Sequence, residues 1–273
     1  KNQFEHAKAL KTYNILLKRD SSNLKAMESA SDMYAALGEY GNSIKLLKNY
    51  IIKDSLNTRI LNKLALNLQQ QQQPREAVNI YKRLIKLKNS NFSTLKNMAD
   101  CYWMLGKRDS AEVFYKVADF VNGKSLITKL NLSQIAYLNK DLSSAKIYAS
   151  RGVELDSSYV PLRRQIALVH YRLDEYKSAL SHYNYLMEKG DSTENILKYA
   201  GACNYFMGDF ETSIPLLSAA LKSDSSDTET LFYLGSSLSH NGKAQEAIEI
   251  FNDILYKLRP DSSLLYKLHS QIG

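Results

Sequence analysis

Residues 228–261 read TETLFYLGSSLSHNGKAQEAIEIFNDILYKLRPD, and this stretch decides the fold. Leu231, Leu234 and Leu238 recur at spacings of three and four, so they form one apolar stripe on a helix. Asn241-Gly242 breaks the pattern. Ala247, Ile250, Phe251 and Ile254 then make the stripe of a second helix. Working backwards in steps of 34 residues, the places of Ala247 and Phe251 are taken by Ser213 and Leu217, Ala179 and Tyr183, and Ala145 and Ala149. Three further steps reach Ala111 and Tyr115, Ala77 and Tyr81, and Ser43 and Leu47. A fixed period of this size signals a stack of supersecondary units, and it turns the functional question from catalysis towards surface recognition.

The chain has 273 residues, which would ordinarily suggest one large or two ordinary domains; the repeat predicts one elongated domain instead. A hydrophobic content of 44% is ample for packing between neighbouring units. Only 11 Gly and 4 Pro leave little room for long linkers, and no stretch reads as a targeting segment or a membrane span. The first residue is Lys1, not Met, which leaves open the loss of a leader or a further domain. A soluble protein, cytoplasmic or exported after leader removal, fits this composition, and nothing in it assigns a compartment. The net charge of +8 is spread among Asp and Glu. It predicts a mild, salt-screened attraction to acidic partners and does not indicate nucleic acid.

The packing logic follows from residue size. Ala77, Ala111, Ala145, Ala179 and Ala247 let the paired helices approach closely, and larger side chains one turn later fill the space between units. Gly38, Gly106, Gly208 and Gly242 share one register between the paired helices, where a left-handed residue can end the first helix. Pro74 and Pro161 fall near helix starts, and Pro260 fits a turn between repeats. Pro215 comes after the expected start of its helix and is expected to bend or loosen the first turns. The run Gln69–Gln73 reads as a solvated rim. Cys101 and Cys203 lie three periods apart and read as two small buried hydrophobes, not as a disulfide.

With Leu231, Leu234-Gly235, Leu238, Gly242, Ala247, Phe251 and Ile254 in place, the chain resembles the tetratricopeptide-repeat family. The preceding unit follows with Leu197, Ala200-Gly201, Gly208, Ser213 and Ala220, but has Asn204 where the family usually has Tyr. The resemblance implies an all-α fold, a right-handed superhelical solenoid of antiparallel helix pairs. It extends over residues 1–273 as a single solenoid: a partial N-terminal unit at 1–23, seven full repeats over 24–261, and a terminal helix or truncated repeat at 262–273. The ends are candidate sites of self-association.

The resemblance also implies that the first helix of each pair lines a concave face. One register on these helices reads Trp103, Tyr137, Tyr171 and Tyr205, an aromatic ladder of the kind that supplies interface hot spots. Lys96, Arg164, Arg172 and Lys198 lie on the same helices. These eight residues are the candidate ligand-binding set, for an extended or helical protein segment whose carboxylates meet the basic side chains. The competing reading is that the ladder only packs against adjacent helices. Some family members hold a chaperone tail with a Lys-Asn pair. Here the corresponding pairs are Glu28/Asp32, Asn62/Leu66, Lys96/Asp100, Leu130/Gln134, Arg164/Leu168, Lys198/Ala202 and Phe232/Ser236, none of which matches.

Nothing in the sequence suggests catalysis. His6, His170, His182, His240 and His269 are scattered, with no metal-ligand spacing. His170 reads as a satisfied core imidazole, and Cys203 has no assignable base. No cofactor motif and no Gly-rich phosphate loop occurs. The expected function is a protein-interaction scaffold or adaptor with no chemical step of its own. The alternatives are a structural assembly protein associating through its ends and, more weakly, a basic nucleic-acid-binding repeat protein.

Overall fold

The computed structural model describes residues 2–258, and within them every regular element is helical. The chain packs as two compact units that divide between Thr128 and Lys129. In the first unit α1 (Asn2–Arg19) precedes three helix pairs: α2 (Leu24–Ala36) with α3 (Tyr40–Lys53), α4 (Thr58–Gln70) with α5 (Pro74–Lys86), and α6 (Phe92–Met104) with α7 (Arg108–Val121). The boundary falls in the first turn of α8 (Leu126–Leu138). The second unit continues with α9 (Leu142–Leu155), then α10 (Val160–Arg172) with α11 (Tyr176–Glu188) and α12 (Glu194–Phe206) with α13 (Phe210–Ala220). It closes with α14 (Thr228–His240) and α15 (Ala244–Asp253), which runs on as a π-helical turn over Ile254–Leu258. Pro260 and the expected terminal helix at 262–273 lie outside the described residues.

Local chemistry sets these helices in register. The caps of the first helices follow the 34-residue register at five of its seven positions: Asn23, Asn57 and Asn91 each accept the backbone N–H three residues on, Ser125 does so from Thr128, and Asp227 accepts from Glu229 and Thr230, while Tyr159 and Thr193 make no side-chain cap bond. Such side chains satisfy donors that the helix start leaves open. The other end is as regular. Gly38, Gly106, Gly208 and Gly242 have φ of +79°, +70°, +81° and +79°, as the left-handed turn requires. At the same register Gln72, Lys140 and Asp174 adopt +58°, +62° and +57°. The turn geometry is therefore kept even where glycine is not.

Within each pair, small residues bring the backbones together. Ala77, Ala111, Ala145 and Ala179 are fully buried. Where serine replaces alanine, its hydroxyl bonds across the pair: Ser43 Oγ donates to the Ser31 carbonyl at 2.8 Å, and Ser213 Oγ to the Gly201 carbonyl at 2.9 Å. A Cβ on Gly235 would lie 2.5 Å from Cε1 of the buried Phe251, so this glycine is required by contact and not by its backbone angles. Asn204, in the place of the usual tyrosine, is buried and donates from Nδ2 to the Ala200 carbonyl at 3.1 Å. Pro215 lies inside α13, which runs through it from Phe210 to Ala220 and is shorter than the other second helices of full pairs save α15. Pro74 and Pro161 sit in the first turns of α5 and α10.

Candidate functional site

In the first unit α6 carries Lys96 and Trp103. Lys96 Nζ pairs with Asp100 Oδ2 at 2.7 Å one turn along the helix, and Asp100 also accepts the Tyr115 hydroxyl at 2.6 Å. Trp103 is 38% exposed, beside the equally open Met104.

In the second unit the remaining three rungs have different environments. Tyr137 is half-buried, and its hydroxyl accepts from Arg172 Nε at 3.0 Å. Tyr171 is only 6% exposed. Its ring centroid lies 4.9 Å from Tyr199 and 5.9 Å from Tyr176, meeting the latter edge-on. Burial, then the neighbouring Tyr233, pushes the Tyr171 phenol far above its ordinary value. Tyr205 packs on Phe206, Phe210 and Tyr233 at 5.2, 5.9 and 5.2 Å. Phe206 is 42% exposed and stacks on Tyr176 at 4.5 Å. The rungs on α10 and α12 thus belong to a wider aromatic cluster, with Tyr176, Tyr199, Phe206 and Tyr233 as further members. A second periodicity points to part of it, because Tyr199 and Tyr233 are one repeat apart.

Each basic residue of the candidate set is engaged by its own unit. Arg164 Nε and Nη2 both reach Asp191 Oδ2, at 2.7 and 2.6 Å. Lys198 Nζ pairs with Asp227 at 2.7 Å and Glu229 at 2.8 Å. Burial pulls the Lys198 ammonium down, but these two carboxylates outweigh it and hold it above the usual lysine range. The Arg172 guanidinium carbon also lies 5.8 Å from the Tyr171 ring centre. Lys96, Arg164 and Lys198 therefore have their charge balanced by carboxylates, whereas Arg172 is held by a tyrosine hydroxyl and an aromatic ring.

Beside Arg164 is a cavity of about 280 Å³ lined by Arg164, Leu168, Tyr183, Thr193, Asn195, Ile196 and Tyr199. Of these, Tyr183 and Tyr199 stack on one another at 6.2 Å. On α11, His182 stacks on His170 of α10 at 5.5 Å and meets Arg163 through Nδ1 at 3.2 Å. Burial, then His170 and Arg163, lowers its pKa to about 4, so it is neutral near pH 7. His170 contacts Glu175 through Nδ1 at 2.5 Å, which makes it the satisfied imidazole expected of it. Cys101 and Cys203 are free and buried, and burial first of all pushes both thiols up to about 12. Thiols so rarely ionised are poor nucleophiles. Among the described residues no three His, Cys, Asp or Glu side chains gather to hold a metal, and no helix is long and apolar enough to cross a membrane.

A family model for the tetratricopeptide repeat matches residues 63–87, and one for the coatomer epsilon subunit matches residues 166–271. No curated protein matches the chain. Among solved structures, the C-terminal part of a tetratricopeptide-repeat protein from Cytophaga hutchinsonii aligns with a TM-score of 0.68 at 12% identity, covering 86% of this chain and 97% of that one. A tetratricopeptide-repeat protein from Parabacteroides merdae gives 0.62 at 15% identity, covering 91% and 98%. YrrB, described as a tetratricopeptide-repeat protein with an unusual peptide-binding site, gives 0.61 at 14% identity, covering 70% and 97%. Together with the helix pairs and their 34-residue register, these matches show that the chain has the tetratricopeptide-repeat fold.

Proposed function

We propose that the protein is a non-catalytic interaction scaffold that holds a peptide segment of a partner protein against the first helices of its second unit. The observation that carries this reading is the aromatic cluster on α10, α12 and α14, which is buried at Tyr171 and opens to solvent at Phe206. A rigid aromatic base with an exposed edge offers apolar contact at a low ordering cost. The ion pairs Arg164–Asp191 and Lys198–Asp227 frame it and add orientation more than net attraction. Tyr137, Tyr205 and Arg172 are placed as contacts of the segment, and Tyr171 as their support. Trp103 and Lys96 serve the same role on the first unit. Support also comes from the peptide-binding site of the structurally similar YrrB.

The test is a Phe206→Ser variant titrated with a partner segment recovered by pull-down. Phe206 is exposed enough for the fold to survive its loss. A drop in affinity of about tenfold or more is expected for an interface anchor, and unchanged affinity would remove this face from the account. A second reading, a subunit of a larger assembly, is favoured by the coatomer epsilon match over residues 166–271. It predicts a mass in solution that rises with concentration, or a stable hetero-complex insensitive to Phe206.

A further inference from the structure

Beside the aromatic ladder, the first helices of the second unit carry another row. Leu138, Arg172 and Phe206 are the final residues of α8, α10 and α12, one repeat apart. All three are exposed. At the next step the final residue of α14 is His240, which stacks on Phe210 at 4.6 Å.

Contacts make the row continuous. Arg172 Nε donates to the hydroxyl of Tyr137, the residue before Leu138, at 3.0 Å. The Arg172 guanidinium lies 5.8 Å from the Tyr171 ring centre, which is 6.4 Å from that of Phe206. The surface therefore presents an apolar group, a cation and an apolar group in that order.

Within this row the cation lacks an acid of its own. Arg164 has Asp191, and Lys198 has Asp227 and Glu229. Among the described residues no carboxylate forms an ion pair with Arg172, and its two Nη groups make no hydrogen bond. The two acids that follow it in sequence are used elsewhere: Asp174 accepts the Tyr176 hydroxyl at 2.6 Å, and Glu175 holds Lys146 at 2.7 Å and meets His170. A guanidinium stays charged at any ordinary pH, and its planar fork matches a carboxylate. Tyr137 orients that fork without neutralising it.

An open charge between two apolar groups selects its partner in two ways. A carboxylate laid over the row complements it, whereas a neutral segment would cover the guanidinium without compensation and is disfavoured. Packed helices lie about 8–10 Å apart, a distance that an extended chain spans in about three residues. We infer that Arg172 reads an internal acidic side chain, Asp or Glu, placed about three residues from an apolar residue on either side in an extended partner segment. This deepens the proposed peptide-binding reading and rests on it.

The probe is the capped peptide acetyl-Leu-Ser-Ser-Glu-Ser-Ser-Leu-amide at millimolar concentration, in which the glutamate is the single charge. Binding is followed through the Arg172 Nε–H resonance and the backbone amides of Arg172 and Phe206. One comparator has glutamine in place of glutamate. The other has serine there and the glutamate moved outside the second leucine. The first probe is expected to bind about three- to tenfold more tightly than either comparator, the size of an ion pair at a surface. Arg172→Gln, at an exposed position, is expected to erase that preference. Leu138→Ser is expected to weaken the glutamate and glutamine probes alike.

No detectable binding of the glutamate probe, or binding no tighter than that of either comparator, would overturn the assignment. A preference that persists in Arg172→Gln would overturn it too, and indifference of both probes to Leu138→Ser would remove the apolar flank and with it the pattern. The two proposals fail separately. If Phe206→Ser weakens the recovered partner segment but the glutamate preference is absent, the face stands and the acidic subsite falls. If the preference depends on Arg172 while partner binding is indifferent to Phe206, the acidic subsite stands and the peptide-binding face falls.

Discussion

Replacing Lys198 tests whether the basic residues of the candidate site belong first to the fold. Lys198 has a side chain 12% exposed and Asp227 one 20% exposed, and the two meet at 2.7 Å. Exposed pairs contribute about 0–1 kcal/mol, whereas hydrogen bonds to charged groups away from solvent contribute about 1.5–3 kcal/mol. Asp227 also caps α14 and accepts the Thr230 hydroxyl at 2.6 Å, so it keeps other partners when the lysine is lost. That places the expected coupling near the lower end, about 1.5–2 kcal/mol.

The assay is a double-mutant cycle of Lys198→Met and Asp227→Asn, each unfolded in urea and followed by helical circular dichroism. Burial raises the Asp227 carboxyl, but Lys198 and Thr230 outweigh it, so its pKa lies below the ordinary carboxylate value. A depressed carboxyl stabilises the fold above its unfolded pKa, and that share is lost as pH falls through the folded pKa. The coupling should therefore persist from neutral pH down to about 4 and vanish in stronger acid. A coupling below about 0.5 kcal/mol at neutral pH would refute the reasoning, because it would make Lys198 an ordinary surface charge.

Three further outcomes follow from the packing and the turns. Gly235→Ala should lower stability by about 1 kcal/mol, since overpacking against Phe251 exceeds the helix-propensity gain; a stabilised variant in urea unfolding would contradict the tight contact. Lys140→Gly should raise stability by up to about 1 kcal/mol, because Lys140 holds a φ of +62°; a loss in thermal melting would contradict this. His182 is held neutral in the fold, so its share of stability is full above the ordinary histidine pKa and is lost as pH falls from 6.5 to about 4. His170 and Arg163 face it, with Glu175 behind His170. After discounting for partial exposure, His182→Phe should flatten the acid slope by about 1–2 kcal/mol over that range, measured by urea midpoints at successive pH values.

The architecture was legible because its causes are local and periodic. The apolar stripes, the small residue inside each pair and the glycine turns are written at fixed spacing, and the helices of the structure fall on them. The capping ladder of Asn23, Asn57, Asn91, Ser125 and Asp227 was equally present in the sequence and is a signal that periodic reading of apolar residues passes over. Gln72, Lys140 and Asp174 stand in the register of Gly38, Gly106, Gly208 and Gly242, and the repeat imposes the left-handed geometry on them although they carry side chains.

The site was only partly legible. Register correctly placed Tyr137, Tyr171 and Tyr205 on first helices, but register says nothing of burial, and Tyr171 proves far less open than Phe206, its neighbour in space. Charge counting singled out Arg164 and Lys198, whereas their partners Asp191 and Asp227 lie in the turns that follow α11 and α13, away from the helices on which the basic residues were read.

The central claim is that the first helices of the second unit receive the partner, and hydrogen exchange of the complex tests it most directly. Amides of α10, α12 and α14 are compared with those of α11, α13 and α15, with and without a saturating partner segment. The account predicts added protection concentrated on α10 and α12, centred on Tyr199 and Phe206, and lost in Phe206→Ser. Protection confined to the second helices would contradict it.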